Sequence, residues 1–187
     1  LLEDAVLASE ITPHDPMEKA FHHLAALHLQ RTDRLHDAWV LAREYELSSQ
    51  LLAMSHLWRT DDGSPHIVAA KGAPEAVALL CRLSPEQRVQ IAADAGALAD
   101  RGLRVLAVAK ARHPAGEPWP DRQLDFGFEW LGLVALADPL RPEVPAAVAQ
   151  CHRAGIRVIM ITGDHPRTAA AIAQQAGIRD SALLTGC

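Results

Sequence analysis

The chain has 187 residues, of which 49% are hydrophobic and 22% charged, and its formal net charge at pH 7 is −5. This length suits one or two domains with an ordinary hydrophobic core. The acidic balance argues against nucleic acid as a partner, because proteins that bind nucleic acid usually carry a basic surplus. The longest apolar run, about 130–137, is too short to span a bilayer, and three cysteines without a metal-binding spacing indicate free thiols in a reducing compartment.

The N-terminal part of the chain predicts two helices. Leu1–Glu10 is the first of them and is short. The second begins after Asp15, whose side chain is suited to cap it, because Pro16 then takes the first helical position and Glu18 completes a capping box.

Runs of apolar residues bounded by turn residues predict strands next. The predicted strands are Trp39–Leu47, Leu51–Trp58 and His66–Ala70, with Asp62-Gly63 as the hairpin turn between the last two. Further along, we expect a short helix over Pro74–Cys81, a helix opened by the capping box Ser84–Gln87, and strands over Leu103–Ala111 and Phe128–Ala137. Residues 1–137 are therefore predicted to form one domain, an antiparallel sheet packed with helices.

The last fifty residues change in character. Pro142–Ala154 and His165–Ala176 predict helices, and the run Ile156–Ile161 between them, apolar except for Arg157, predicts a buried strand. A solid apolar strand between helices is typical of a parallel sheet. Residues 138–187 are therefore predicted to form a separate, partial Rossmann-like domain, which makes the whole chain an α/β (α+β) protein.

The loop Thr162-Gly163-Asp164 is the most informative local motif. It follows the predicted buried strand and precedes a helix, and in open α/β sheets sites form at the carboxyl ends of strands. Backbone N–H groups at a helix start attract phosphate. An equally good interpretation of these three residues is a glycine turn with local caps.

Several charged residues are further candidates, each with a simpler alternative. Lys71 and Gly72 stand between a predicted strand and a helix, where they suit an anionic ligand, or simply form an exposed turn. Arg104 suits a ligand contact or a solvated strand edge, and Asp138–Arg141 suits a site or a proline-stiffened linker. The ten histidines show no metal-binding spacing, so no metal site is expected in this chain.

The order of these motifs is more specific than any one of them. The segments are Asp15–Ala20 (DPMEKA), Ala53–Ser55 (AMS), Lys71–Glu75 (KGAPE), Gly102–Ala107 (GLRVLA), Asp138–Arg141 (DPLR) and Met160–Pro166 (MITGDHP). In this order they resemble the nucleotide-binding and phosphorylation domains of P-type (E1–E2) cation-transporting ATPases, the second being a haloacid dehalogenase-like domain. The resemblance covers nearly the whole chain and is closest to the calcium and sodium–potassium class.

The resemblance implies a role for each matching residue. Glu18 would contact the adenine side, Lys71 and Gly72 would line the nucleotide pocket, and Arg104 would reach the phosphates. The remaining pocket residues would be Met54, Leu47 at the position where the family often has an adenine-stacking aromatic residue, and Tyr45, which would replace that aromatic residue if it shares the face. Asp138 and Arg141 would belong to the hinge between the domains and also meet nucleotide, and Thr162, Gly163 and Asp164 would border the phosphorylation site.

The sequence also departs from the family pattern, because several motifs needed for phosphoryl transfer are absent. The phosphorylated aspartate of a DKTGT segment, the metal-binding GDGxND segment and a lysine after the TGD loop do not occur in this chain, whose last lysine is Lys110. Phosphoryl transfer depends on positioned charge, metal and nucleophile, so we expect an ATP-binding piece of a pump that is inactive in hydrolysis alone.

The expected setting follows from the same resemblance. The parent would be an integral membrane pump using ATP and Mg²⁺, this chain would be part of its cytoplasmic portion, and its partners would be the actuator and membrane domains. Two alternatives stay open: a soluble haloacid dehalogenase-like phosphatase, which would need a DxD nucleophile motif that this sequence lacks, and a non-catalytic interaction module.

Overall fold

The computed structural model describes residues 1–29, 36, 38–60, 63–178 and 184. The chain forms two compact units, the first built from Leu1–Ile91 and Leu106–Val134 and the second from Ala92–Val105 and Ala135–Cys187. The division into domains at residues 137 and 138 stays a prediction. None of the helices in the described ranges is long and apolar enough to cross a bilayer.

The secondary structure follows the predicted order closely for most of the chain. The helices are α1 (Leu2–Leu7), α2 (Pro16–His28), α3 (Pro74–Leu80), α4 (Pro85–Ala99), α5 (Val144–Arg153) and α6 (Pro166–Ala176), with a 3₁₀ turn at Gln123–Asp125. The strands are β1 (Val40–Tyr45), β2 (Ala53–Arg59), β3 (His66–Gly72), β4 (Arg104–His113) and β5 (Glu129–Leu136).

The five strands form one antiparallel sheet in the order β1-β2-β3-β4-β5, which confirms the predicted fold class. Strands that are consecutive in the chain are neighbours in the sheet, although α3 and α4 lie between β3 and β4 in the sequence, and β2 and β3 pair as the predicted hairpin. Asp62 of the predicted hairpin turn lies outside the described residues, whereas Gly63 has a φ of 76°, which glycine adopts at little cost.

The sheet of the first unit is buried on both faces. On the face that we call the helix face, Trp58, Ile67 and Ala69 pack against Leu7 and Ala8 at the end of α1. On the opposite face, the loop face, a larger cluster joins strand residues with α3 and with the segment between β4 and β5, and it includes Tyr45, Leu57, Val68, Val77, Leu80, Phe126 and Phe128. Alternate residues of a strand point to opposite faces, so β2 and β3 supply both clusters.

Of the two predicted capping boxes, the one at the start of α4 is present and the one at the start of α2 is not. Ser84 and Gln87 form the predicted capping box, with N–H to side-chain oxygen distances of 2.9 and 3.3 Å. At α2, Asp15 accepts hydrogen bonds from the N–H groups of Met17 and Glu18, at 2.8 and 3.4 Å. The prediction that Glu18 completes a capping box there is wrong, because its carboxylate is drawn to a buried lysine instead.

The predicted buried strand Ile156–Ile161 is also wrong. Residues 156–161 have no regular secondary structure, and Ile156, Ile159 and Ile161 are exposed, Ile161 by 93%. A strand is stable only when neighbouring strands satisfy its N–H and C=O groups. In the described residues the one sheet consists of β1–β5, so this apolar segment has no strand beside it.

Candidate functional site

The helix face of the first unit carries a buried ion pair between Lys71 of β3 and Glu18 of α2. The Lys71 Nζ donates a hydrogen bond to the Glu18 carboxylate, and a second one, at 2.6 Å, to the Oγ of Ser9. Only 4% of the Lys71 side chain and 8% of the Glu18 side chain are exposed to solvent. Two residues of the N-terminal segment, 62 and 53 positions before Lys71, therefore converge on its ammonium group.

The local structure explains how these side chains arrive there. Asp15 and Pro16 fix the start of α2, so Glu18 lies in the first turn of the helix. The second Glu18 oxygen accepts the N–H of Glu10 at 3.3 Å, and the Phe21 ring centroid lies 5.8 Å from the Lys71 Nζ. The carboxylate is thereby satisfied at both oxygens, which a buried charge requires.

The environment of Lys71 acts on its pKa in two directions. Burial lowers the pKa below the ordinary value of 10.5, because it penalises the charged form, and the hydrogen bond and charge of Glu18 oppose that effect. Asp15 and Glu10 add smaller attractions of the same sign as Glu18. The cluster thus holds a buried cation in direct contact with a buried carboxylate.

Met54 and Gly72 lie beside this cluster. Met54 is the cross-strand partner of Lys71, and Gly72 pairs with Ala53. A Cβ added to Gly72 would lie 2.3 Å from the Leu52 carbonyl oxygen and 2.5 Å from the Ala53 Cα. These contacts are with backbone, so the close spacing of β2 and β3 requires glycine here, whatever else this residue does.

Tyr45 is not part of the cluster. It pairs with Ser55 on the loop face, its OH donates to the Pro120 carbonyl oxygen at 2.7 Å, and its ring meets the Phe126 ring edge-on at 5.4 Å. Burial raises the pKa of Tyr45 above 10.0. The ring is thus fixed in a core on the opposite side of the sheet from Lys71.

A β-bulge explains this placement. In the register between β1 and β2, Leu41 is opposite Trp58 and Arg43 is opposite Leu57, so β1 contains one extra residue. One extra residue reverses the alternation of faces beyond it. Leu41 therefore packs on the helix face, whereas Tyr45, four residues later, packs on the loop face.

Four other candidate residues lie on the surface. Leu47 follows the end of β1 and is 56% exposed. Arg104, the first residue of β4, is exposed, as are Asp138 and Arg141 between β5 and α5. The last three belong to the second compact unit, whereas Leu47 belongs to the first.

The TGD loop has its own hydrogen bonds in the second unit. The Thr162 Oγ1 donates to the Asp164 carboxylate at 2.9 Å and accepts the Asp164 N–H at 3.1 Å, while the His165 Nδ1 caps α6 by accepting the Arg167 N–H at 3.3 Å. Thr162, Gly163 and Asp164 are all exposed. This geometry is what the local-cap interpretation predicts, and it also leaves the loop open to a ligand. Within the described ranges, no group of three or more His, Cys, Asp or Glu residues is placed to hold a metal ion.

Two buried polar residues of the helix face were missed by the sequence analysis. Ser9 lies 62 positions from Lys71, and nothing in its neighbourhood signals a contact across the fold. His56 and Trp58 both donate to the Leu7 carbonyl oxygen, at 3.1 and 2.7 Å, and so fasten the end of α1 to β2. The alternation of polar and apolar residues in β2 could have indicated which side chains share a face of the sheet, but it could not have identified the Leu7 carbonyl oxygen as their partner.

The chain matches a protein-family model and several curated proteins over most of its length. Residues 20–184 match the model of the haloacid dehalogenase-like hydrolases. Over 173 residues, 88% of this chain, the sequence is 36% identical to the sodium/potassium exporting P-type ATPase cta3 of Schizosaccharomyces pombe. It is 37% identical over 177 residues, 89% of the chain, to the probable cation-transporting ATPase F of Mycobacterium tuberculosis. It is also 37% identical over 154 residues, 74% of the chain, to the human plasma membrane calcium-transporting ATPase 1.

The matched region is a small part of each of these relatives. It corresponds to 17% of the Schizosaccharomyces protein, 19% of the Mycobacterium protein and 12% of the human protein. This chain therefore spans less than a fifth of the length of the curated relatives that it matches.

Proposed function

Because this chain belongs to the haloacid dehalogenase-like hydrolase family and its curated relatives are P-type cation-transporting ATPases, we propose that it is an ATP-binding part of a cation pump. The observation that carries the proposal is the convergence of Glu18 and Lys71 on the helix face, beside Met54 and Gly72. The family resemblance assigns all four to the nucleotide pocket, although they come from separate segments.

In this proposal, ATP binds at the Lys71 end of the helix face. The ammonium is the natural partner for an anionic ligand, since it keeps its charge next to Glu18 and has three N–H donors. Lys71 is 3% exposed, so the ligand reaches it only when the Glu18 carboxylate turns away or shares the ammonium. Adenine then packs against the apolar side of Met54. Leu47 stabilises bound adenine less than an aromatic ring would, because ring stacking adds roughly 0.5–1.5 kcal/mol beyond the burial of apolar area.

The second unit carries the remaining proposed contacts, each in the role that the resemblance implies. Arg104 reaches the phosphates, Asp138 and Arg141 act at the hinge, and the loop 162–164 borders the phosphorylation site of the assembled pump. The TGD loop provides a single carboxylate, that of Asp164. Mg²⁺ usually binds through one or two carboxylates and the substrate phosphates, so we propose that it arrives as the ATP complex.

The proposed setting is a cytoplasmic portion of a membrane pump. The partners would be the actuator and membrane domains, with ATP as the ligand and no nucleic acid. The TGD loop would serve aspartyl-phosphate chemistry whose nucleophile is supplied from outside this sequence. On its own, the chain should neither hydrolyse ATP above background nor form an acid-stable phosphoprotein.

Titration of Mg²⁺–ATP into the protein, followed by amide NMR, tests the proposal. Affinity should be weak, on the order of tenths of millimolar to millimolar. Replacing Lys71 by Ala removes a charged hydrogen bond and should weaken binding about ten-fold or more, and Lys71→Met, which keeps the buried apolar stem, should do the same. Thr162→Ala should barely change the affinity.

Lys110→Ala is the matched control, because Lys110 lies on β4 of the same sheet and pairs with Asp4 at 3.5 Å. It should leave ATP affinity unchanged. If ATP perturbs no resonance of the folded wild type, the nucleotide-binding proposal fails and the interaction-module alternative gains. If Thr162→Ala weakens binding while Lys71→Ala does not, the pocket lies in the other unit.

A further inference from the structure

We propose that Ser9 is a positioning residue for the Lys71 ammonium, an assignment that deepens the proposed nucleotide site and rests on it. Ser9 lies just beyond the end of α1 and is 1% exposed. Neither the motifs nor the family resemblance draws attention to it. Its hydroxyl is one of two acceptors that hold the Lys71 Nζ at the end of the helix face.

The Ser9 hydroxyl can act toward Lys71 only as an acceptor. Its single hydrogen is donated to the Ala5 carbonyl oxygen, one helical turn earlier, at 2.8 Å. A serine hydroxyl has one donor and two acceptor lone pairs. Because the hydrogen is committed, a lone pair is turned toward Nζ, which lies 2.6 Å away.

Ser9 is itself held firmly against the sheet. The Leu7 carbonyl oxygen, two residues earlier, accepts hydrogen bonds from His56 and Trp58 of β2. Leu7 and Ala8 are buried against Trp58. A short helix anchored at this end places Ser9 at a fixed distance from β3, so it can restrict a lysine side chain that otherwise has four rotatable bonds.

The two acceptors of Lys71 differ in what they do to its charge. Glu18 is a carboxylate and neutralises the ammonium, whereas Ser9 is neutral and leaves the positive charge available. Lys71 has three N–H donors, two of which are used by Ser9 and Glu18, and no third acceptor lies among the described residues. An anionic ligand that displaces Glu18 therefore meets an ammonium that Ser9 still holds in place.

Two variants remove the acceptor: Ser9→Ala deletes the hydroxyl, and Ser9→Cys replaces it with a poor acceptor of similar size, in case the alanine variant folds badly. Both should weaken Mg²⁺–ATP binding by about five-fold, the equivalent of one ordinary hydrogen bond. Ser55→Ala is the control. Ser55 is also fully buried and bonded to a side chain, Gln123 at 2.6 Å, but on the loop face, so ATP affinity should not change.

A second measurement needs no nucleotide. The chain has three lysines, Lys19, Lys71 and Lys110, so the ¹³Cε resonances of labelled lysine give a simple spectrum in which Lys71 is assigned by its absence from Lys71→Met. A hydrogen bond to the charged form favours that form. Removing the Ser9 acceptor should therefore lower the pH at which Lys71 deprotonates, while Ser55→Ala leaves that pH unchanged.

The other titratable groups around Lys71 are the same in all of these variants. They are Glu18, Asp15 and Glu10, together with His56 on β2. An unchanged Lys71 titration in both Ser9 variants would refute the positioning role. Absence of ATP binding by the wild type would instead refute the proposed function, and the lysine titration would still decide whether Ser9 holds Lys71.

Discussion

Removing the charge of Glu18 should destabilise the first unit strongly. The Lys71 side chain is 4% exposed in the wild type, and the Glu18→Leu variant leaves its ammonium group without a counter-charge. The same change removes the acceptor of the Glu10 N–H. Loss of one partner of a buried ion pair costs about 3–5 kcal/mol, mostly because the other charge stays buried. The double variant Glu18→Leu with Lys71→Met removes both charges, so its stability should return to within about 1–2 kcal/mol of the wild type.

Urea unfolding followed by tryptophan fluorescence measures these differences in the correct part of the molecule. All four tryptophans, at positions 39, 58, 119 and 130, belong to the first unit. Asp121→Ala is the control, because the Arg43–Asp121 pair at 3.4 Å is open to solvent, with Asp121 96% exposed. Exposed pairs contribute about 0–1 kcal/mol.

The charge argument also predicts a pH effect within this series. In Glu18→Leu, Glu18 no longer opposes the effect of burial, so the pKa of Lys71 should lie further below 10.5 than it does in the wild type. The unfolded chain then binds more protons than the folded one in the alkaline range, and the deficit relative to the wild type should shrink as the pH rises. A Glu18→Leu variant as stable as the control, or a double variant no better than Glu18→Leu, would refute the buried ion pair.

Two further predictions concern neighbouring residues. Gly72→Ala should cost about 2 kcal/mol or more, because its Cβ would meet backbone atoms of Leu52 and Ala53 at 2.3 and 2.5 Å and the strands would have to separate; Gly127→Ala, with no described atom within 4 Å of its Cβ, is the control in the same urea assay. His56 has a pKa lowered below 6.5, chiefly by burial, so the folded state binds fewer protons than the unfolded state as the pH falls below 6.5. Stability should therefore drop in that acidic window, and His56→Asn, which keeps a donor for the Leu7 carbonyl, should show a weaker drop when unfolding is compared at about pH 5 and about pH 7; an equal drop in both proteins would argue against His56 as the source.

Local chemistry in the sequence predicted most of the elements. The caps at Asp15 and Ser84 and the proline at position 16 act on their own helix starts, so they can be read without any knowledge of the fold. The antiparallel sheet was likewise predicted from apolar runs bounded by turn residues, and the short connection between β2 and β3 indicated a hairpin. The segment 156–161 failed for the opposite reason, since an apolar run becomes a strand only when neighbouring strands are present.

The candidate site also combines residues that the sequence predicted with contacts that only the tertiary structure shows. The order of the sequence motifs resembles a known family, and that resemblance predicted that Glu18, Lys71 and Gly72 belong to one pocket. It could not indicate Ser9, because the contact joins positions 62 residues apart and depends on how α1 is fastened to β2. Nor could it give the strand spacing that makes glycine necessary at position 72.

The sequence by itself determined the family, the order of helices and strands apart from the segment 156–161, and the charged groups proposed to meet a nucleotide. The tertiary structure decided which side chains share a face. One extra residue in β1, between Leu41 and Arg43, turns Tyr45 to the loop face and away from Lys71. The alternation of side chains has a period of two, so a bulge of one residue reverses every position beyond it, and only the pairing with β2 reveals where the bulge lies.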